Sequence, residues 1–575
     1  MNKFYALVLS GFCFSGFAQN FQDVTSSHQF SNFFYATSDI ADYDNDGDPD
    51  ILICGAISSD GNGNPDTTLC QLYVNTSGTY APASGFDVDS RHLGDVAFID
   101  IDNDGKKDIV ITGQNYNNIM DFYTYVYRNT GNGFELVQTE PGAIYSSLDA
   151  IDFNFDGRED FILNGVGSEG TFAMLHTSAP DGFELSQLAV SGTQNGNLRV
   201  ADLNGDLLPD LVVMGLDENY TELMKVYLNE NGSFSESQSL GTLFNGALTL
   251  ADFNADGNLD IVVAGSDAAE DYAPVVKVYY NDGTGQFTLA YEDDGVENFS
   301  GVHSVQEGDL NNDGYYDFII AGDYDYASTV KIYLYNPEDE TFAPATENTG
   351  IYALGAPADI QLFDFDKDNH LDILSTGFDS EDPDFASYTK IFRNTAVSAN
   401  NKPEPPAALS IAEEAGALSF EWTGASDDLT PEAALQYYFR AGTSPGARDI
   451  AYYRVASDSW KLVLAELPEN LYWAISSMDA SKALSVESEE QVYTTMGTGD
   501  NPKALFSVYP NPVQGILKIQ GASALEAAAV YSLNGQQLFR TDADSIDFSN
   551  YPAGIYIVKM SFADGATAVT KIVRS

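Results

Sequence analysis

Residues 42–50 of the chain read DYDNDGDPD, and the apolar run ILICG follows directly at 51–55. Aspartates occupy positions 1, 3, 5 and 9 of this nine-residue acidic loop, and a glycine occupies position 6. The pattern recurs as DIDNDGKKD from Asp100, DFNFDGRED from Asp152, DLNGDLLPD from Asp202, DFNADGNLD from Asp252, DLNNDGYYD from Asp309 and DFDKDNHLD from Asp364. Seven copies, here numbered loops 1 to 7, indicate an internal repeat that organises residues 19–395.

Each loop lies among four strand-like segments. A short apolar segment precedes it, a run ending in glycine such as DIVITG follows it, and segments such as KVYLN and FELV come next. Four short strands per repeat, bounded by Gly, Asn and Asp turns, are typical of a propeller blade. The sequence therefore predicts an all-β fold with a seven-bladed β-propeller over residues 19–395. The seventh repeat has only three strands, so we expect the N-terminal segment NFQDV to complete it and close the ring, against the alternative of an open solenoid.

The acidic loops bring oxygen ligands together. Alternate side chains of a tight loop can converge on one point, and calcium prefers six to eight oxygens. A turn alone needs one or two such residues, and an EF-hand is excluded because position 12 is never glutamate. The candidate metal ligands are Asp42, Asp44, Asp46 and Asp50; Asp100, Asp102, Asp104 and Asp108; Asp152, Asn154, Asp156 and Asp160; Asp202, Asn204, Asp206 and Asp210; Asp252, Asn254, Asp256 and Asp260; Asp309, Asn311, Asp313 and Asp317; and Asp364, Asp366, Asp368 and Asp372.

These loops and strands resemble the FG-GAP (VCBS-type) repeats of integrin α-subunit propellers and of many bacterial exported proteins. The resemblance implies one Ca2+ ion per blade, up to seven in all, held at positions 1, 3, 5 and 9. Loops 1, 2 and 7 carry four carboxylates each, whereas the others have Asn at position 3 and one formal charge less. Leu207 replaces glycine at position 6 of loop 4, so we expect this site to be the weakest or empty.

The remaining segments predict an exported chain with two further β domains. Lys3, the apolar stretch to Phe17 and the small residue Ala18 indicate a Sec signal peptide over 1–18; a membrane anchor is the alternative, but the stretch is shorter than the roughly 20 residues that span a bilayer. Residues 396–406 are a proline-containing linker. The segment LPENLY within 407–496 resembles the tyrosine-corner region of fibronectin type III domains. Both later domains are expected to be small β-sandwiches.

The C-terminal residues 505–575 closely resemble the sorting domain that the type IX secretion system of Bacteroidetes recognises. The segments VYPNP, PAGIYIVKM and the terminal KIVRS carry this resemblance. It implies a contact with the secretion machinery and a location at the cell surface or outside the cell.

Composition excludes several partners. The chain has 25 Lys and Arg against 86 Asp and Glu, a formal net charge of −61, which disfavours nucleic acid and anionic membranes. No transmembrane segment is expected. If the signal peptide is removed, Cys54 and Cys70 remain, either as one disulfide or as two free thiols.

The sequence favours a binding or adhesion scaffold over an enzyme, because no nucleophilic, zinc-protease or nucleotide motif occurs. A calcium-bearing carbohydrate-active enzyme is the alternative. The loops between second and third strands carry aromatic and acidic residues suited to a glycan or protein ligand: Tyr116, Tyr220, Tyr272, Tyr324, Tyr326, Phe385, Asp121, Asp271, Asp323 and Asp382. In repeat 6, His303 and Glu307 replace residues that are small or apolar elsewhere; small residues six before each loop are expected where inner strands crowd the axis.

Overall fold

The computed structural model describes residues 21–59, 65–115, 118–179, 182–294, 301–324, 327–345, 351, 355–378, 386–396, 398–414, 417–465, 467–494, 506–521, 525–532, 536–563 and 567–574. The predicted signal peptide lies outside these residues. The chain forms two compact units, one of Met1–Glu466 with Tyr472–Gln491 and one of Leu467–Leu471 with Val492–Ser575. The all-β prediction is confirmed.

The repeats form seven antiparallel sheets, each with four main strands. The strands of the first four repeats are β2 (Phe34–Ala41), β3 (Asp50–Ser59), β4 (Pro65–Asn75) and β5 (Tyr80–Pro82); β6 (Val96–Ile99), β7 (Asp108–Ile111), β8 (Gln114–Asn115), β9 (Asn118–Asn129) and β10 (Phe134–Pro141); β11 (Ile144–Ile151), β12 (Asp160–Gly167), β13 (Gly170–Ala179) and β14 (Gly182–Gln187); and β15 (Leu198–Ala201), β16 (Asp210–Leu216), β17 (Glu222–Glu230) and β18 (Ser233–Gly241). The short strand β8 pairs with β9 beside the main path of its sheet.

The last three repeats follow the same order. Their strands are β19 (Leu243–Ala251), β20 (Asp260–Asp267), β21 (Ala273–Asn281) and β22 (Phe287–Asp293); β23 (Gly301–Gly308), β24 (Asp317–Tyr324), β25 (Ala327–Asn336) and β26 (Thr341–Pro344); and β27 (Gly355–Phe363), β28 (Asp372–Phe378) and β29 (Ser387–Asn394). The N-terminal strand β1 (Phe21–Asp23) pairs with β29 and completes the seventh sheet, as the segment NFQDV predicts.

The seven sheets close into a ring. The first strand of each sheet contacts that of the next, and β27 contacts β2. An apolar core fills the junction between the seventh and first sheets, where Phe363 and Leu374 meet Ile51 and Tyr73. The second strands are buried on both faces, which explains their continuous apolar runs: Leu211, Val212, Val213 and Met214 are all 0% exposed. Each of the seven predicted blades therefore corresponds to one sheet of the ring.

Carboxylates on the inner strands also join neighbouring sheets. Asp39 accepts the Phe98 N–H, Asp95 the Leu148 N–H and Asp149 the Val200 N–H, at 2.7, 2.7 and 2.8 Å. Burial raises the pKa of Asp39 to about 6. These hydrogen bonds add a polar connection to each of the apolar cores between the first four sheets.

The glycines six residues before loops 2, 4 and 5 approach the second strand of their own sheet, whereas the sequence predicts small residues there because inner strands crowd the axis. The inner strands shift register near their start, for example between Phe244 and Ala247. A Cβ on Gly94 would lie 2.0 Å from the Thr112 carbonyl oxygen, and one on Gly196 would lie 2.0 Å from that of Met214. Only glycine fits so close to a backbone carbonyl in these sheets.

A disulfide joins Cys54 to Cys70, which settles the alternative that the sequence leaves open. The two residues are direct partners in the pairing of β3 with β4, with their Cα atoms 4.0 Å apart.

Residues 408–494 form two further sheets, here called the two-sheet domain. Its strands are β30 (Ala408–Glu414), β31 (Ala417–Thr423), β32 (Gln436–Gly442), β33 (Ala451–Val455), β34 (Ser459–Leu462), β35 (Asn470–Met478) and β36 (Gln491–Thr494). The sheet β30-β31-β34 packs on the sheet β33-β32-β35-β36, and the Phe420 ring lies 4.8 Å from that of Phe439. Its identification as a fibronectin type III domain, like the predicted boundaries of all the domains, stays a prediction.

The C-terminal unit also contains two sheets, β37-β38-β41 and β40-β39-β42-β43. Their strands are β37 (Phe506–Tyr509), β38 (Ile516–Gly521), β39 (Leu525–Ser532), β40 (Gln537–Thr541), β41 (Ser545–Asp547), β42 (Gly554–Phe562) and β43 (Thr567–Arg574). Val513, Leu517, Val530 and Val558, each 0% exposed, lie in their shared core. Short 3-10 turns at Thr25–Ser27, Ala268–Glu270 and Glu432–Ala434 are the helical elements of the described residues.

The close approach at Gly196 gives a first prediction. Gly196→Ala should lower the melting temperature of the full chain, because overpacking of this kind costs about 1–3 kcal/mol. Ser146 occupies the same position in the third sheet and already carries a Cβ, so Ser146→Ala is the matched control and should melt close to wild type. Differential scanning calorimetry measures both. Equal melting temperatures for Gly196→Ala and wild type would contradict the steric explanation.

Candidate metal centre

The seven acidic loops lie at the same end of the ring. Each joins the first strand of its sheet to the second, and position 9 is the first residue of the second strand, as with Asp50 in β3. Because every sheet has the same strand order, the loops recur around that end of the ring.

All seven loops share one backbone path. Position 4 is left-handed in every loop, with φ between 54° and 76°, and so is position 6, with φ between 62° and 94°. Five loops place glycine at position 6, where such a φ carries little strain. Loop 4 keeps the same path although Leu207 occupies this position with a φ of 65°. Loop 7 does so with Asn369, at 62°.

The position 9 aspartate holds each loop to its sheet. One carboxylate oxygen accepts the N–H of loop position 2 at 3.0–3.2 Å. The other accepts an N–H from the third strand at 2.6–2.9 Å, as Asp50 does from Asn75. Burial raises the pKa of Asp50 to about 7 and that of Asp372 to about 9. Negative charge at these positions is therefore costly unless something compensates it.

The position 1 aspartate is oriented in the same way in every loop. One of its oxygens accepts the N–H of position 6 at 2.7–3.0 Å. The left-handed turn at position 6 makes this hydrogen bond possible, because it points that N–H back into the loop. Backbone N–H groups therefore orient the carboxylates of both positions 1 and 9 within the loop.

Position 3 divides the loops into two groups. In loops 1, 2 and 7, carboxylate oxygens of positions 1, 3 and 9 lie within 4.8 Å of one another: Asp42, Asp44 and Asp50; Asp100, Asp102 and Asp108; and Asp364, Asp366 and Asp372. In loops 3 to 6 the Asn at position 3 donates its side-chain N–H to the position 5 carboxylate at 3.0–3.2 Å. The amide therefore relieves repulsion that the carboxylate in the first group leaves in place.

Two arginines that the sequence analysis overlooked neutralise part of that repulsion. Arg128 lies 2.9 Å from Asp102 of loop 2, and Arg393 lies 2.7 Å from Asp366 of loop 7. Both occupy the next-to-last position of the third strand of their sheet. Val74 occupies the corresponding position beside loop 1. The sequence does contain a signal for these residues: Arg occurs at this strand position only in repeats whose loops carry Asp at position 3.

The donor set fits a hard divalent cation. Every candidate side chain offers oxygen, which calcium prefers over nitrogen and sulfur. Within the described part of the chain, Asp42 Oδ1, Asn311 Oδ1 and Asp366 Oδ1 are buried and have no hydrogen-bond partner. Unpartnered buried oxygens at positions 1 and 3 are what a loop built to ligate an ion would present.

Glu307 is a charged residue at the inner end of the sixth sheet and is 7% exposed. It accepts a hydrogen bond from Thr249, and its Oε1 lies 3.9 Å from Arg454 of the two-sheet domain. Burial raises its pKa, but the nearby positive charges of Lys482 and Arg454 outweigh that effect and lower it. Glu307 is therefore a charged partner for the two-sheet domain. The side chain of His303, its companion in the sequence analysis, lies outside the described residues.

Among the aromatic loop residues at the opposite end of the ring, Tyr220 is 71% exposed and Tyr272 is 56% exposed. Both have a positive φ, of 58° and 64°. Asp121 binds the buried Arg91 at 3.4 Å and so has an internal role. Tyr116, Tyr326, Phe385 and Asp382 lie outside the described residues, as do the side chains of Tyr324 and Asp323.

The signal segments of the C-terminal unit are tied together. The Asn511 side chain accepts the Val573 N–H at 2.8 Å and donates to the Lys571 carbonyl at 2.9 Å, which joins YPNP to KIVRS. Tyr556 of the segment PAGIY donates its hydroxyl proton to the Pro552 carbonyl at 2.8 Å. The segments YPNP and PAGIY thus both contact the terminal strand β43, the first through Asn511 and the second through the pairing of β42 with β43.

Fold and loops together define an acidic, propeller-type repeat protein. The family described as FG-GAP-like repeat matches residues 42–111, 100–163, 202–263, 252–320 and 309–375, about half of the chain. The secretion system C-terminal sorting domain matches residues 507–575. The chain therefore belongs to the FG-GAP-like repeat family and ends in a sorting domain. This domain directs the protein to the cell surface or the extracellular space by type IX secretion. It must therefore interact with the secretion machinery.

The solved structures that match the chain do so at low identity and low TM-score. The extracellular domain of a protein assigned as a hybrid two-component system of B. thetaiotaomicron is 8% identical, with a TM-score of 0.35; the match covers 83% of this chain and 57% of that one. A Lactobacillus plantarum protein is 9% identical, with 56% and 96% covered and a TM-score of 0.32. Fructan 1-exohydrolase IIa of Cichorium intybus is 12% identical, with 65% and 87% covered and a TM-score of 0.25. No curated protein matches the sequence.

Among the described residues, no helix combines the length and the apolar character that crossing a membrane requires.

Loop 4 gives the second prediction. Leu207→Gly should raise the melting temperature, because a left-handed non-glycine residue costs about 1–2 kcal/mol. The same substitution should raise the affinity of loop 4 for a cation. Leu208→Gly is the matched control: Leu208 is absent from the left-handed residues, so glycine there should lower stability. Thermal melts of the three proteins test the expectation, and a Leu207→Gly variant less stable than wild type would contradict it.

Proposed function

We propose that the protein is a calcium-binding propeller that acts outside the cell as a binding scaffold and not as an enzyme. The three clusters in loops 1, 2 and 7 are the observation that carries the cation part of the proposal. Three carboxylates within 4.8 Å repel one another unless a cation lies between them. Calcium is the cation best suited to a flexible loop of oxygen ligands.

A binding role is favoured over catalysis by the surroundings of two of the five histidines, His176 and His370. His176 contacts Glu140 at 2.8 Å, but the two side chains are 0% and 5% exposed and the His176 ring stacks on Phe161. His370 lies in loop 7, 2.7 Å from the Ser398 carbonyl oxygen. Neither pair is placed to move a proton on a substrate, since general acid–base catalysis needs contact with the reacting group.

The end of the ring opposite the acidic loops is the proposed ligand-binding face. Exposed tyrosines offer flat apolar surfaces with a polar edge, which suit the stacking of sugar rings and the binding of cationic groups. Tyr220 and Tyr272 are held there in left-handed conformations, which non-glycine residues adopt at some energetic cost. Asp217 and Asp271 lie beside them in the chain and add negative charge.

Calcium should stabilise the full chain markedly. Each site filled at one hundred times its Kd adds about 2.7 kcal/mol, and several sites act together. The melting temperature should therefore fall on addition of excess chelator and recover with calcium. Asp44→Asn should reduce this calcium-dependent shift, whereas Asp48→Asn, which removes a carboxylate paired with Lys367 outside the ligand set, should leave it largely intact. A melting temperature that does not respond to chelator would refute the cation sites.

The ligand face is tested by probing arrays of plant and marine polysaccharides and of extracellular proteins with the full chain. Tyr220→Ala and Tyr272→Ala should each weaken the strongest signal about two- to ten-fold, because packing on one aromatic ring contributes about 0.5–1.5 kcal/mol. Leu289→Ala removes an exposed apolar side chain from an outer strand and serves as control. If both tyrosine variants still bind as wild type does, this face is not the ligand-binding site. Release of shortened or unsaturated sugars would show that the protein is an enzyme and exclude a purely binding role.

A further inference from the structure

The acidic-loop end of the ring is covered by the chain's own two-sheet domain. The Val463 N–H donates to the Phe155 carbonyl at 2.6 Å, and the Trp460 ring lies 5.4 Å from that of Phe155. Lys461 Nζ lies 4.0 Å above the same ring. Phe155 is position 4 of loop 3, a position that carries no metal ligand.

Position 4 is also the point of contact in other loops. Asn103 of loop 2 donates its side-chain N–H to the Ile450 carbonyl at 2.7 Å. Ser481 donates its hydroxyl proton to Asn312 of loop 6 at 3.0 Å. The two-sheet domain thus contacts the apices that the left-handed turns project from the loops.

One hydrogen bond reaches past the apices to a metal-ligand position. The Tyr453 hydroxyl donates to Asp152 Oδ2, position 1 of loop 3, at 2.8 Å. The Trp460 indole N–H donates in turn to the Tyr453 oxygen at 2.8 Å. All three side chains are buried, with Asp152 1% and both rings 6% exposed. Tyr453 therefore orients a candidate ligand from outside the propeller.

Further contacts fix the domain over the sixth and seventh sheets. The Asp309 N–H of loop 6 donates to the Ala480 carbonyl at 2.9 Å. Lys482 donates to the Leu362 carbonyl at 3.2 Å and lies near Glu307. The predicted linker also contacts the loops, since Asn312 donates to the Ser398 carbonyl at 3.1 Å. The linker is therefore held against the loops.

These contacts depend on the wrapped shape of the loops. In loops 2, 3 and 6, where position 4 meets the two-sheet domain, positions 4 and 6 both turn left-handed. A cation would favour that shape by removing the repulsion among the carboxylates. A ligand that stabilises the loop shape on which the domain docks also strengthens docking. Docking must then raise the affinity of the loops for that ligand, because coupling between two binding events is reciprocal.

We propose that the two-sheet domain is a cation-dependent clamp on the acidic-loop face, with Tyr453 as the positioning residue that links occupancy of loop 3 to docking. The inference rests on the proposed cation binding. Cation binding to the loops stabilises the docked position of the two-sheet domain, and the docked domain slows the release of the ion from loop 3. Removing the cation releases the domain while each part stays folded.

Hydrogen exchange on the full chain, with calcium and with excess chelator, tests this clamp. In calcium, the peptide containing Val463 should be protected, because its N–H is bonded to Phe155. Chelator should speed its exchange about tenfold or more, which corresponds to a loss of about 1.4 kcal/mol of docking free energy. Peptides from β32, at the centre of the two-sheet domain, should keep their protection and show that the domain remains folded.

Tyr453→Phe should speed exchange at Val463 even in calcium and reduce the further effect of chelator. The matched control is Tyr437→Phe, which removes a hydroxyl from a ring packed against Trp422 in the domain core and should behave as wild type. Wild-type behaviour of Tyr453→Phe would overturn the role of this residue. The wild-type comparison tests the clamp even if the variant does not fold.

Equilibrium dialysis with calcium separates this inference from the proposed function. If calcium binds but chelator leaves Val463 exchange unchanged, the clamp is refuted and the cation sites stand. If no calcium binds, the proposed function and the clamp both fail.

Discussion

The buried carboxylate at position 9 of each acidic loop is the interaction on which the ring depends. Its two oxygens accept one N–H from the loop and one from the third strand, so a single side chain connects three segments of every sheet. An asparagine could supply only one of these acceptors, and its NH2 group would oppose the other N–H. This explains why position 9 is Asp in all seven loops while position 3 alternates between Asp and Asn.

This requirement creates the charge problem that the rest of the site addresses. Each loop must bury a carboxylate beside those of positions 1 and 5, and burial disfavours its ionised form. Loops 3 to 6 reduce the repulsion with an amide at position 3, and loops 2 and 7 reduce it with Arg128 and Arg393. Loop 1 has neither compensation among its described contacts. Loop 1 thus leaves the repulsion at position 3 uncompensated, although loops 1, 2 and 7 carry the same number of carboxylates.

The sequence predicts the parts of this structure that repeat. Loop period, strand order and completion of the seventh sheet by the N-terminal segment all follow from the pattern. Position 4 escaped notice because it varies, from Phe155 to Asn312, and its common feature is a backbone angle instead of a residue type. Arg128 escaped because it lies on a third strand, and its approach to Asp102 arises only when the sheet forms. The calcium ligands themselves stay a prediction.

The position of the two-sheet domain gives a physical reason for the irregular sixth repeat. The chain has 25 basic residues against 86 acidic ones, yet Arg454, Lys461 and Lys482 all face the propeller from this domain. Lys461 lies near the carboxylates of Asp202 and Asp206, and Glu307 lies near the other two. Burial lowers the pKa of Lys482, and a lysine buried without a carboxylate partner would be strongly destabilising. The charge at Glu307, anomalous within a repeat, is therefore required by a domain that begins about one hundred residues later, and no comparison of repeats alone could explain it.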